Sequence, residues 1–140
     1  MITFVSKKKY IMKKYLFALL CLATFTACHE SLEEKAAREA EEFTKKNCPI
    51  KISQYIINDS MTYEKATRTI HYFYTITGKA DTTAINTPDM RDALVKGVKG
   101  ATNIKTYKDA GFNFAYTYYS EKNKGLKLID VKITPKEYNN

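Results

Sequence analysis

The sequence predicts an α+β domain: a four-stranded, largely antiparallel sheet in α-β-β-α-β-β order, with the helices packed on one face. Three observations carry this expectation. Runs at residues 52–63, 67–77, 112–120 and 126–133 are rich in β-branched and aromatic residues and alternate with a period of two. Two other runs, at 31–47 and from 87 onward, repeat apolar residues at helical spacing behind clear start signals. The strands also come in two pairs close in sequence, for which antiparallel hairpins are the simplest arrangement.

The first helix opens at Ser31, where Ser31 and Glu34 form an S-x-x-E capping box and Glu30, Glu33 and Glu34 suit the positive end of the helix dipole. Leu32, Ala36, Ala40 and Phe43 fall on one stripe, and Asn47-Cys48-Pro49 ends the helix. In the first strand Tyr55, Ile57, Met61 and Tyr63 share one parity. In the second, Ile70, Tyr72, Tyr74 and Ile76 alternate with His71, Phe73, Thr75 and Thr77. Residues 78–86 read as a polar loop. Thr87-Pro88-Asp89 then reads as N-cap, first-turn proline and acid, ahead of Met90, Leu94, Val95 and Val98. A short helical turn over 103–110 is expected to end on Gly111 in a left-handed conformation. Phe112, Phe114, Tyr116 and Tyr118 alternate with Asn113, Ala115, Thr117 and Tyr119. After a turn at 121–125, Ile129, Val131 and Ile133 lie on one face of the last strand, which Thr134-Pro135 closes.

The domain is preceded by a leader. Lys7, Lys8, Lys9, Lys13 and Lys14 stand before a thirteen-residue apolar run at 15–27, followed by Cys28 and an acidic stretch. A basic segment, a short apolar segment and small residues before the cut make a secretory signal peptide over residues 1–27. A bilayer-spanning helix needs roughly 20 apolar residues, so this run predicts export rather than a transmembrane span. Met12-Lys13-Lys14-Tyr15 already opens a complete signal, which makes Met12 an alternative translation start. Phe25-Thr26-Ala27-Cys28 resembles the lipobox of bacterial lipoproteins, with Phe at the place usually held by Leu. Bacteroidota-type lipoproteins often carry that substitution, and the acids after Cys28 resemble their surface-export signal. The resemblance implies that Cys28 is lipidated with two or three acyl chains, palmitate among them, and becomes the first residue of the mature protein. Each buried CH₂ contributes about 0.8 kcal/mol, and two chains hold a protein stably on a membrane. The expected location is therefore the outer membrane of a bacterial envelope, facing the periplasm or the cell surface.

Removing the leader changes the reading of charge. The whole chain carries +8, but residues 1–27 hold five lysines and no acid, so residues 28–140 carry 18 − 15 = +3. Nucleic-acid binding is thus set aside. These 113 residues suffice for a single domain, helix 31–47 followed by a core at 48–138. Cys48 has no disulfide partner once Cys28 is acylated, and is expected to be a free thiol.

Chemistry finds little material. His29 and His71 are the only histidines, with no pairing at metal-ligand spacing and no CxxC, so no metal site is assigned. Cys48 and His71 could in principle act as nucleophile and base, but nothing in the spacing brings them together. Asp59, Glu64, Asp81, Asp89 and Asp92 sit at strand ends, loops or a helix start, where carboxylates are ordinarily solvated or capping. No glycine-rich loop supports a nucleotide. The sequence therefore assigns no catalytic residue and no cofactor.

The run Cys48-Pro49-Ile50, then Asp59-Ser60-Met61-Thr62-Tyr63 and Tyr72-Phe73-Tyr74-Thr75-Ile76, resembles a family of small exported bacterial domains. Lys108-Asp109-Ala110-Gly111 and the ending Ile133-Thr134-Pro135-Lys136-Glu137-Tyr138 fit the same pattern. The resemblance covers about residues 47–138 and implies a domain boundary but no activity.

Nine tyrosines remain after the leader, and most share parity with aliphatic core residues. The opposite face collects His71, Phe73, Thr75, Asn113, Ala115, Thr117 and Tyr119. On a mostly polar face His71, Phe73 and Tyr119 are the candidate partner-contact residues. The expected function is a non-enzymatic binding or accessory domain for a protein, peptide or glycan of the envelope. An inhibitor or immunity-type protein using loop 78–86 as a wedge is the alternative, and a hydrolase a more distant one.

Overall fold

The computed structural model describes residues 29–140; the expected signal peptide and Cys28 lie outside them. Helix α1 (Leu32–Asn47) begins with the capping box, Ser31 Oγ accepting from the Glu34 amide at 3.1 Å and Glu34 Oε2 from the Ser31 amide at 2.9 Å. Ala36 and Ala40 are buried, and Arg38 and Lys46 both pair with Glu42 on the exposed side, at 3.3 and 3.2 Å.

Among the described residues the sheet has five strands, not four. Residues 50–64 divide into β1 (Ile50–Ser53) and β2 (Ile56–Glu64), which pair antiparallel across a turn at Gln54 and Tyr55. That turn contains no glycine, proline or asparagine, so the alternation runs through it unmarked. Strand β3 (Thr69–Ile76) returns antiparallel along β2. Two 3₁₀ turns, Gly78–Ala80 and Thr83–Ile85, occupy the expected loop, and helices α2 (Pro88–Gly100) and α3 (Lys105–Asp109) follow. Strands β4 (Asn113–Ser120) and β5 (Lys127–Ile133) form the last hairpin, and a four-residue turn of helix, α4 (Pro135–Tyr138), closes the chain on its own Thr134–Glu137 capping box.

The strand order in space is β1-β2-β3-β4-β5, and the central pair β3–β4 is parallel over eight rungs, Thr69↔Asn113 to Ile76↔Ser120. The largely antiparallel expectation therefore fails at the middle of the sheet. The reason is the helical crossover. After β3 the chain is carried back along the sheet before β4 begins, so β4 must run in the direction of β3.

The helices do share one face. Ala36, Val98, Ile104, Tyr107 and Tyr138 from the helical layer cluster with Ile70, Phe112, Phe114 and Ile133, and a second cluster joins Tyr74, Ile76, Tyr118, Leu128 and Ile129. Gly111 (φ +75°) makes the left-handed turn into β4, and the Tyr138 hydroxyl donates to the Phe112 carbonyl at 2.8 Å to hold α4 against it. A bulge between Asn58 and Ser60 breaks the parity of β2. Ile56 and Asn58 pair with Ile76 and Tyr74, and Met61 and Tyr63 with Tyr72 and Ile70, so all four face the helices, whereas Ile57 pairs with Thr75 on the other side. The single alternating set containing Ile57, Met61 and Tyr63 is thus corrected by one inserted residue.

Strand β1 covers only Ile56–Asn58 of the outer edge of β2. Beyond it, the Thr44 hydroxyl of α1 serves as a substitute strand partner, donating to the Met61 carbonyl and accepting from the Met61 amide, both at 2.8 Å. Replacing Thr44 by Val keeps the shape and strands both backbone groups, so we expect a loss of about 1–3 kcal/mol in urea denaturation. Thr44→Ser should recover most of it; equal stability of all three would show the bonds to be dispensable.

Candidate functional site

Two surfaces present more than packing. The first is the sheet face opposite the helices, where the three candidate contact residues lie. His71 and Phe73 stack at 4.0 Å, and His71 Nε2 lies 2.8 Å from Thr117 Oγ1. Thr117 in turn donates to Asp130 Oδ1 at 2.8 Å, and Lys127 Nζ donates to Asp130 Oδ2 at 2.8 Å. Because the Thr117 proton goes to a carboxylate, its oxygen accepts from His71, which fixes the Nε2–H tautomer. The hydroxyl is therefore not activated as a nucleophile. One polar chain braces β3, β4 and β5.

This face is not an open polar surface. Thr117 is fully buried and Ala115 nearly so, while His71, Phe73 and Tyr119 are all half-buried. His71 lies beside Ala115 and Phe73 beside Thr117 across the parallel strands, and Tyr119 sits beside Thr75, which itself donates to Asp59 at 2.8 Å. Sequence parity placed these residues on one face. It could not show how much of that face is buried.

Burial holds His71 below its usual pKa, with Lys127 and Lys132 acting the same way and Asp130 and Glu64 opposing. The Asp130 carboxyl is held down chiefly by its bond from Lys127, then by Thr117. For a base whose folded pKa is depressed, the stability is fully present above the unfolded value of about 6.5 and is lost as pH falls through the folded value. Urea midpoints should therefore decline between pH 7 and 5, and His71→Gln should flatten that decline. An unchanged slope in the variant would assign the effect elsewhere.

The second surface is a cleft of about 300 Å³ on the helical side, between the inner flank of α1 and α3. Ala36, Glu39 and Phe43 form one wall, Ile104 and Tyr107 the other, and Met61, Ile70 and Tyr72 the floor. Tyr107 donates its hydroxyl to Glu39 across the gap. Four tyrosines line up on this face in two stacked pairs across the parallel strands, Tyr72 with Tyr116 (5.3 Å) and Tyr74 with Tyr118 (4.6 Å). Burial raises all four phenol pKa values, so they stay neutral donors at any physiological pH. Tyr74 and Tyr118 are buried, while Tyr72 and Tyr116 are half-buried. Sequence parity assigned these rings to the helix-covered face, but the gap above Tyr72 depends on where α1 and α3 come to rest.

Cys48 and His71 are not brought together. Cys48 is a free, half-buried thiol that donates to Asn58 Oδ1 at 3.4 Å, on the helical side, with the sheet between it and His71. Burial, and then the Asp59 charge, push its pKa up, which leaves a poor nucleophile. Among the described residues no three His, Cys, Asp or Glu side chains converge as for a metal ion, and no helix is long and apolar enough to cross a membrane.

This arrangement defines a small α+β domain with a sheet backed by helices on one side and a polar brace on the other. Residues 31–129 match the family described as a domain of unknown function, DUF8479, and the chain belongs to that family. No curated protein matches the chain. Three solved structures share the fold. A Pseudomonas aeruginosa protein described as secreted aligns with TM-score 0.61 at 16% identity, over 77% of this chain and 97% of its own. The type 2 secretion system pilotin EpsS of Vibrio vulnificus aligns with TM-score 0.61 at 17% identity, over 76% and 91%. The type II secretion system pilotin AspS of Vibrio cholerae aligns with TM-score 0.54 at 15% identity, over 76% and 91%.

Proposed function

We propose that this chain is an exported accessory protein of the bacterial envelope, lipid-anchored at Cys28, which holds an apolar segment of a protein partner in the cleft between α1 and α3. The cleft carries the reading. Its walls and floor are mainly aliphatic and aromatic, with neutral phenols, Asn103 and Glu39 as the polar groups, a lining suited to peptide side chains rather than to the dense hydroxyls of a glycan. The fold shared with two type II secretion pilotins supports an accessory role in the envelope, and the Phe25-Thr26-Ala27-Cys28 motif supports the anchor. The inhibitor alternative is less well served. Loop 78–86 does not project as a wedge: Asp81 is buried and accepts from the Lys122 amide at 2.8 Å, and Ala80 and Ile85 pack on the second core cluster.

A photo-crosslinking residue at Phe43 should give a discrete protein adduct in native envelopes, and one at Lys132, on the opposite face, should not. Equal adducts at both positions would remove the cleft from the reading. The anchor is tested separately. Cys28→Ala should abolish fatty-acid labelling and partition into the detergent phase, and retained labelling would refute acylation at this residue.

A further inference from the structure

The outer flank of α1 carries a second feature. Strand β1 occupies the lane beside β2 only as far as Asn58, although β2 continues to Glu64. Among the described residues no strand lies beside residues 60–64; Thr44 fills the lane at Met61, which leaves about 10 Å open beside residues 62–64, at roughly 3.3 Å per residue. In its place is a largely apolar groove of about 310 Å³, bounded by Ala37, Ala40 and Thr44 of α1 and by Met61, Thr62 and Tyr63 of β2.

Along this groove the backbone of Met61 is already taken by Thr44, and that of Tyr63 is set for strand pairing. Both polar groups of Met61 turn away from β3, since they bond to Thr44. Met61↔Tyr72 is thus a non-hydrogen-bonded rung of the β2–β3 ladder. Such rungs alternate with hydrogen-bonded ones, so at Tyr63↔Ile70 the amide and carbonyl of Tyr63 also point outward, with no strand of the described residues beside them. Ala37 and Ala40 are small enough to leave room for incoming side chains, and Glu41 and Lys45 at the rim neutralise each other.

We infer that this edge is a strand-addition site: an extended segment of a partner protein pairs with β2 at Tyr63, in the lane that β1 fills beside residues 56–58. An extended backbone is the one occupant that answers both the outward amide–carbonyl pair and a groove too shallow for a globular side. The ligand chemistry is a short stretch of alternating sequence, with small apolar side chains toward Ala37 and Ala40 and no net charge demanded by the rim. This site lies on the opposite flank of α1 from the cleft, and does not depend on it.

The probe is a random twelve-residue peptide library displayed on phage, panned against the full chain in mild detergent. Enriched peptides should show apolar–polar alternation. Their affinity should fall at least tenfold for Ala37→Trp, which fills the groove from an exposed helix position, and be unchanged for Ala37→Ser. Bound peptide should slow hydrogen exchange at the Tyr63 amide. The inference is overturned if no peptide is enriched, if Ala37→Trp leaves affinity intact, or if Phe43→Glu, in the other cleft, abolishes binding instead. Circular dichroism of Ala37→Trp guards against misfolding, and the Tyr63 exchange readout on the unaltered chain decides the matter if that variant does not fold.

Discussion

The parallel pairing of β3 with β4 is the constraint from which the remaining structure follows. Eight consecutive rungs join them, and each rung places two side chains directly side by side on one face. On the helical side this stacks Tyr72 on Tyr116 and Tyr74 on Tyr118; on the other it sets Phe73 next to Thr117 and His71 next to Ala115. Two parallel strands cannot be joined by a tight turn, so the chain between them must be long. Residues 77–112 meet that demand with α2 and α3, and those helices then provide Val98, Ile104 and Tyr107 to the core.

Both candidate surfaces inherit their character from that central pair. The cleft is apolar because its floor belongs to the inward-facing set of β2 and β3, and α1, which rides over β2, forms one of its walls. The polar brace exists because His71, Thr117 and Asp130 fall on the outward set of three adjacent strands. A single slip in register would exchange these two populations. The bulges lie away from the central pair, at Lys51/Ser53 in β1, at Asn58/Ser60 in β2 and between Tyr118 and Tyr119 against β5, where the extra residue lets both Leu128 and Ile129 be buried.

Helix α1 has an unusual workload for a helix of mostly charged residues. Its apolar stripe is only wide enough to bury Ala36 and Ala40, with Leu32 and Phe43 partly covered. Thr44 compensates at the sheet edge by satisfying Met61, and the Arg68 guanidinium, 3.0 Å from Glu33, ties the β2–β3 turn to the helix start. Small residues on both flanks leave a groove on either side, one over the sheet and one along its edge. A bulkier helix would have closed both.

Local chemistry in the sequence determined much of this. The Ser31–Glu34 capping box, the proline at the start of α2, the left-handed Gly111 and the alternation of β3 and β4 are properties of neighbouring residues, and each appears where the pattern places it. The inward set from Ile70 to Ile76 and from Phe112 to Tyr118 was legible for the same reason. Tertiary structure decided what depends on residues far apart. The turn at Gln54–Tyr55 lacks any turn-forming residue and is imposed by pairing; the bulge in β2 is visible only against β3; and the direction of β4 is set by the path of two helices. Neither groove beside α1 nor the chain from His71 through Thr117 to Asp130 has a sequence signature, because their parts lie 46 and 13 residues apart and meet only when three strands align. Alternation assigns a side chain to a face; only packing determines whether that face is covered, and by what.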